Sequence, residues 1–206
     1  FSLLWDDIAW ELSHQEDIDR FASTAEAQAW FSNQVFAALT ALDFTIDLTI
    51  CPMHYCGRGT EPYLQEIGVL LNPRINVMWT GREICSGYLD ISDAVIFQRS
   101  TLRPPLYWDN FPVNDGGMQR SLYIGPVRGR EVGLQKFSAG LLSNPMLQAE
   151  MSLIPLKTIG DYLWNTSSYS PEQSWEESLE QLIENDSARA ALRRFLRVSL
   201  WTTVGG

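Results

Sequence analysis

Short apolar runs alternate with amphipathic stretches along this chain, and polar residues gather just after each apolar run. The alternation predicts an α/β fold on a parallel sheet, because strand–helix–strand order returns each strand in the same direction. The polar clusters follow several different strands: Asp6/Asp7, Tyr55, Thr80, Asn110/Asp115 and Asn144. In a (β/α)8 barrel, site residues sit at the C-terminal ends of several strands. The predicted fold class is therefore α/β, a (β/α)8 TIM barrel of which this chain holds only the later strands, followed by C-terminal helices.

Phe1 to Trp5 is apolar apart from one serine, is followed by turn-compatible residues, and reads as a buried strand. From Asp19 to Leu42 the spacing is helical, with Phe21, Ala25, Ala29, Val35, Phe36 and Leu39 on one face. FTIDLTIC (Phe44 to Cys51) predicts a second strand, closed by Pro52, and CPMHYCGRGTEP a loop. Pro62 to Leu71 predicts a short helix, Ile75 to Thr80 a third strand, and 90–99 another helix. Pro104 and Pro105 introduce a fourth strand, Leu106 to Phe111, before a long polar loop. A fifth run covers Gln135 to Leu142. Helical pattern then begins near Pro145, again near Leu156 up to Trp164, from Pro171 to Glu184, and from Ser187 to Leu200. The last of these carries Arg189, Arg193, Arg194 and Arg197, which read as a solvated face.

Five strand-like runs are legible, against eight in a closed barrel of about 250 residues. An open sheet is one solution. The start inside a strand favours the other, in which the first three barrel strands lie outside this chain. Residues 1–165 are then the C-terminal part of the barrel domain and 166–206 a helical extension. A half-barrel exposes strand edges, so the chain expressed alone is expected to aggregate and to be inactive.

Composition excludes several function classes. Hydrophobic residues at 45% and charged residues at 19% indicate a globular core rather than disorder. A formal net charge of -10 argues against nucleic-acid binding, which depends on neutralising phosphates. No GxGxxG or P-loop motif follows any strand, against a nucleotide-binding fold. No apolar run reaches the roughly 18 residues of a membrane helix. The three cysteines, Cys51, Cys56 and Cys85, form neither a disulfide framework nor a zinc ligand pattern.

The stretch FSLLWDDI places two acids side by side directly after a strand. Adjacent carboxylates repel unless both are solvated, bind a cation, or carry different protonation states in a reaction. Within a regular strand they point to opposite faces, but at a strand end the backbone can turn both into one pocket. A glycosidase gives such a pair a use, one acid protonating the leaving oxygen while the other stabilises positive charge or orients a neighbouring acetamido nucleophile. The plain alternative is one helix cap and one solvated acid. Tyr55 can hydrogen-bond a reacting amide, or be an ordinary loop aromatic. His54 beside it has no Ser or Cys partner pattern and reads as a loop histidine; His14 reads as surface. WDNFPVND offers an aromatic wall (Trp108), an amide (Asn110) and a carboxylate (Asp115), the usual means of holding sugar hydroxyls, or else an Asx turn. Asn144 precedes Pro145 and has the same turn alternative.

Five stretches, FSLLWDDI, CPMHYCGRG with PYLQEIG, INVMWTG, YWDNFPVND and LLSNPMLQAE, carry a resemblance. In this order they resemble the catalytic domain of glycoside hydrolase family 84, the β-N-acetylglucosaminidases, which include O-GlcNAcases and hyaluronidase-like proteins. The resemblance covers most of residues 1–165. It implies hydrolysis of terminal β-linked N-acetylglucosamine with retention, through an oxazoline and without metal or cofactor. It assigns Asp6 to orienting the 2-acetamido group and Asp7 to general acid and then base. Tyr55 and Trp108 would form the acetamido pocket. Asn110 would contact the acetamido region or nearby hydroxyls, Asp115 would hold the 4- and 6-hydroxyls, and Asn144 another hydroxyl. The family's glycine-rich segment and sugar-contacting lysine have no match here, Met53 and His54 stand where members of the family often have other polar or small residues, and the last 40 residues match loosely.

The implied partner is a glycoprotein or glycan bearing N-acetylglucosamine, with no nucleic acid and no membrane; oligomeric state and location, secreted or cytoplasmic, stay open. Two alternatives remain: a non-catalytic or inactive carbohydrate-binding fragment of such an enzyme, and a metal-dependent enzyme using Asp6 and Asp7 as ligands.

Overall fold

The computed structural model describes residues 1–199, with side-chain surroundings as far as residue 195. Five strands, β1 (Ser2–Leu4), β2 (Thr49–Cys51), β3 (Asn76–Trp79), β4 (Leu106–Asp109) and β5 (Gly140–Ser143), lie side by side in chain order. The first three neighbouring pairs are parallel. Helices α1 (Gln15–Arg20) and α2 (Thr24–Leu42) join β1 to β2; α3 (Pro62–Leu70) and α4 (Ile91–Thr101) make the next two crossovers. Parallel strands in sequential order are successive units of a (β/α)8 barrel; a doubly wound sheet reverses its order part-way. Among the described residues the sheet is open, a barrel segment rather than a closed barrel.

The chain divides into two compact units. The first holds Phe1–Asp109 with Leu134–Leu142. Strand alternation gives its sheet two different faces. Leu3, Trp5, Ile50, Val77, Trp79, Tyr107 and Leu141 pack into one core with Ala25, Ala29 and Phe36 of α2, Leu64 and Ile67 of α3, and Phe97 of α4. Trp79 stacks on Phe97 at 4.9 Å between centroids. The residues between them, Leu4, Thr49, Cys51, Met78 and Trp108, take the other face. Register sets Leu4 beside Cys51. Gly68 lets α3 approach α4, since a Cβ there would lie 2.5 Å from the Ser100 carbonyl oxygen. Arg103, at the start of the β4 approach, is buried. All five of its N–H donors reach main-chain carbonyls: Nε that of Thr101 (2.9 Å), Nη1 those of Asn72 (3.2 Å) and Ile75 (3.0 Å), Nη2 those of Gly68 (3.0 Å) and Leu71 (3.3 Å).

The second unit holds Asn110–Gly133 and the chain from Ser143. It carries α5 (Ala149–Trp164), α6 (Pro171–Leu182) and α7 (Asp186–Ser199). Ile124 and Met146 form its small core with Tyr123, Met151, Trp175 and Leu192. The Trp175 indole donates to the Ile124 carbonyl at 2.8 Å. Asp161 of α5 accepts from Lys157 at 2.9 Å and from Ser174 of α6 at 2.6 Å.

Several predicted boundaries move, each for a local reason. The helix expected from Asp19 to Leu42 breaks at Phe21, because Ser23 accepts the Glu26 N–H at 2.9 Å and starts α2 afresh. The strand expected from Phe44 shrinks to Thr49–Cys51, because Asp43 accepts from the Thr45 N–H (2.8 Å) and hydroxyl (2.7 Å) and turns the chain. The run from Gln135 begins with a 3-10 turn, Leu134–Lys136, and becomes strand only at Gly140. The two helical segments read near Pro145 and Leu156 are one helix, α5, with Pro155 inside it. The Pro155 carbonyl accepts the Thr158 hydroxyl at 2.7 Å. The basic stripe of α7 is partly engaged: Arg189 bonds Asp186 and the Ile183 carbonyl, and Arg193 reaches Glu176 at 2.7 Å. The Arg197 side chain and the expected helix end at Leu200 lie outside the described residues.

Candidate active site

In the first unit, β1 ends at Leu4 and the chain turns at once. Asp7 lies at φ 55, in the left-handed region. Aspartate tolerates that conformation better than most side chains. The turn ends strand alternation, so nothing forces Asp6 and Asp7 to opposite faces. Asp6 is half-buried and Asp7 exposed. The Oδ1 atom of Asp6 is buried and meets no hydrogen-bond partner. Such an orphan acceptor costs on the order of 1–3 kcal/mol and is stabilised by any donor that reaches it.

Parallel pairing brings the segment after β2 to the same end of the sheet as the aspartates. Trp5 N–H donates to the Cys51 carbonyl at 2.9 Å, which extends the β1–β2 ladder to the residue before Asp6. Burial, the largest cause, pushes the Cys51 thiol up to about 12, and the nearby Asp6 and Asp7 carboxylates add to it. Burial is also the first cause raising the Tyr55 phenol above its ordinary value, with Asp7, Cys56, Asp6 and Cys51 adding to it. The Asp6 and Asp7 carboxylates thus lie close enough to act on both the Cys51 thiol and the Tyr55 phenol.

The loop that carries Tyr55 is laced to the segment after β3. The Thr80 N–H donates to the Tyr55 carbonyl at 2.7 Å, and the Gly57 N–H to the Gly81 carbonyl at 3.0 Å. Gly81 has φ 98, and a Cβ there would lie 2.5 Å from the Ser86 Oγ. His54, expected as a loop histidine, packs its ring between Trp10 (4.5 Å) and Tyr63 (5.4 Å). His14 is exposed, as expected. Trp108 is half-buried in β4.

The second unit holds Asn110, Asp115 and Asn144. Asn144 Nδ2 donates to Asn110 Oδ1 at 2.9 Å, so the two amides fix each other's orientation. The Ser143 hydroxyl donates to the Phe111 carbonyl at 2.7 Å and ties the same two segments. Asp115 is exposed, and its carbonyl accepts the Met118 N–H at 2.9 Å in a 3-10 turn. Its neighbour Asn114 is fully buried. Nδ2 of Asn114 donates to the Ser121 carbonyl (2.9 Å) and Gln148 Oε1 (2.8 Å), and its Oδ1 accepts from Leu147 N–H (3.0 Å). Sequence reasoning passed over Asn114 and Cys51. Strand parity was the available signal for Cys51, since it alternates with core-facing Ile50.

A family model described as NAGidase, beta-N-acetylglucosaminidase, matches residues 1–197. This chain belongs to that family, the glycoside hydrolases of family 84. Beta-N-acetylglucosaminidase relatives include the protein O-GlcNAcases of Rattus norvegicus and Mus musculus. Each is 30% identical over 168 residues, covering 79% of this chain and 18% of the relative. A mutant O-GlcNAc hydrolase from Thermobaculum terrenum superposes with a TM-score of 0.92 at 35% identity, covering 95% of this chain and 42% of that one. This family member therefore spans less than a fifth of the curated relatives it matches.

Proposed function

We propose that the protein is a retaining β-N-acetylglucosaminidase that removes terminal β-linked N-acetylglucosamine from a glycoprotein or glycan by substrate-assisted catalysis. Family membership supports the class of reaction. The observation that carries the mechanism is the Asp6–Asp7–Tyr55 cluster, with one Asp6 oxygen buried and unpartnered. An acetamido N–H is a donor of the right kind for that oxygen.

In the first step the acetamido carbonyl oxygen attacks the anomeric carbon, and the bond to the leaving oxygen breaks. Asp7 gives its proton to that leaving oxygen. Asp6 accepts the acetamido N–H and stabilises the cationic oxazoline that forms. In the second step the Asp7 carboxylate takes a proton from water, which attacks the anomeric carbon and reopens the ring. Two displacements at one carbon give retention. Tyr55 hydrogen-bonds the acetamido oxygen region, and its phenol, raised above the ordinary value, stays a donor across the physiological range. The resemblance gives Trp108 the wall of the acetamido pocket and gives sugar hydroxyls to Asn110, Asp115 and Asn144.

Leaving-group dependence tests the assignment in the full-length protein. Asp7→Ala is expected to lose most activity on substrates with poor leaving groups and to retain much of it on activated aryl glycosides, which need no protonation. Asp6→Ala is expected to lose activity on both. Equal losses from the two variants across the leaving-group series would remove the distinction between their roles.

A further inference from the structure

The segment that carries Tyr55 is gripped from behind by two helices. Gln28 of α2, only 4% exposed, donates from Nε2 to the Met53 sulfur at 3.0 Å. The Tyr63 hydroxyl of α3 donates to Gln28 Oε1 and accepts the Met53 N–H at 3.3 Å. Met53 is thus held at both main chain and side chain, two residues before Tyr55. On the other side the Tyr55 carbonyl is held by the Thr80 N–H at 2.7 Å. Between the two anchors His54 lays its ring against Tyr63, with centroids 5.4 Å apart.

We propose that Gln28 and Tyr63 form a positioning pair that sets Tyr55 for catalysis, acting through the Met53 main chain without touching the sugar. The chain of bonds is short: the Gln28–Met53 bond is buried, and the two bonds of the Tyr63 hydroxyl are part-buried. Loss of the Tyr63 hydroxyl leaves the Met53 N–H and the Gln28 carbonyl oxygen unmatched. Buried groups in that state recover partners only by shifting main chain. A shift of about 1 Å in a group that positions substrate can cost about 100-fold in rate. The inference rests on the role proposed for Tyr55.

A double-mutant cycle in the full-length protein tests it. Tyr63→Phe is expected to lower kcat by roughly 5- to 30-fold with KM nearly unchanged. Tyr55→Phe is expected to lower kcat further, and adding Tyr63→Phe to it is expected to cost nothing more, since the pair acts through Tyr55. A multiplicative double variant, or a Tyr63→Phe enzyme at full kcat, overturns the positioning role while leaving Tyr55 in place. A Tyr55→Phe enzyme with full activity shows that the role of Tyr55 itself has failed, and the inference falls with it. Gln28→Met, close in volume, goes through the same cycle, so a folding defect in one variant leaves the other to decide.

Discussion

At the scale of single residues, the left-handed turn at Asp7 explains how two adjacent acids can serve one site. Asparagine tolerates the same conformation, so Asp7→Asn removes the proton without moving the chain. Its kcat/KM on a poor-leaving-group substrate is expected to fall about 10²- to 10⁴-fold, with a melting temperature close to that of the parent. Cys51 gives a prediction of opposite kind. Its thiol, pushed up to about 12, carries a proton at neutral pH, and the thiolate is the form that alkylates. Iodoacetamide at pH 8 is expected to label exposed Cys85 first and Cys51 last, read by peptide mass spectrometry. Comparable labelling rates would contradict the account of its surroundings. Asp6, Asp7 and Tyr55 were visible in the sequence because each follows a strand. Gln28 and Tyr63 were not, because their bonds join residues 35 positions apart and no local pattern announces them.

At the scale of elements, Arg103 ties the end of α3 and the approach to β3 onto the start of β4 through five carbonyls. Arginine suits this use, because its planar fork offers five donors in fixed directions. Arg103→Met is expected to destabilise the protein by roughly 3–5 kcal/mol, since it strips donors from buried carbonyls. Denaturant unfolding measures it. A loss below about 1 kcal/mol would mean that those carbonyls find other partners. Strand and helix order was readable because hydrophobic period distinguishes the two. Ends were read less well. Ser23 and Asp43 redirect the chain through side-chain bonds to nearby N–H groups, and such bonds compete with regular structure. Pro155 suggested a break that the packed α5 does not make.

At the scale of the molecule, the second unit is expected to lose a small part of its stability in acid. Burial works to raise Asp161, but the bonds from Ser174 and Lys157 outweigh it and hold its carboxyl below the ordinary value. A depressed folded-state pKa contributes stability above the unfolded value, near 3.9, which disappears as pH falls through the folded value. With a side chain 36% exposed, that contribution is on the order of 0.5 kcal/mol after screening. Asp161→Asn is expected to flatten the acid limb of a melting-temperature profile below pH 5 and to leave activity on small aryl glycosides unchanged. The parallel, sequentially ordered sheet was legible from strand–helix alternation. The division into two compact units was not, because Asn110 follows Asp109 without any break in composition.

The most direct test of the mechanism compares two aryl glycosides with the full-length protein: the β-N-acetylglucosaminide and the β-glucoside that lacks the acetamido group. The account predicts cleavage of the first alone, with rates that fall steadily as the acetyl group is fluorinated and its carbonyl becomes a poorer nucleophile. Equal cleavage of both, or rates indifferent to fluorination, would contradict it and withdraw the roles given to Asp6, Asp7 and Tyr55.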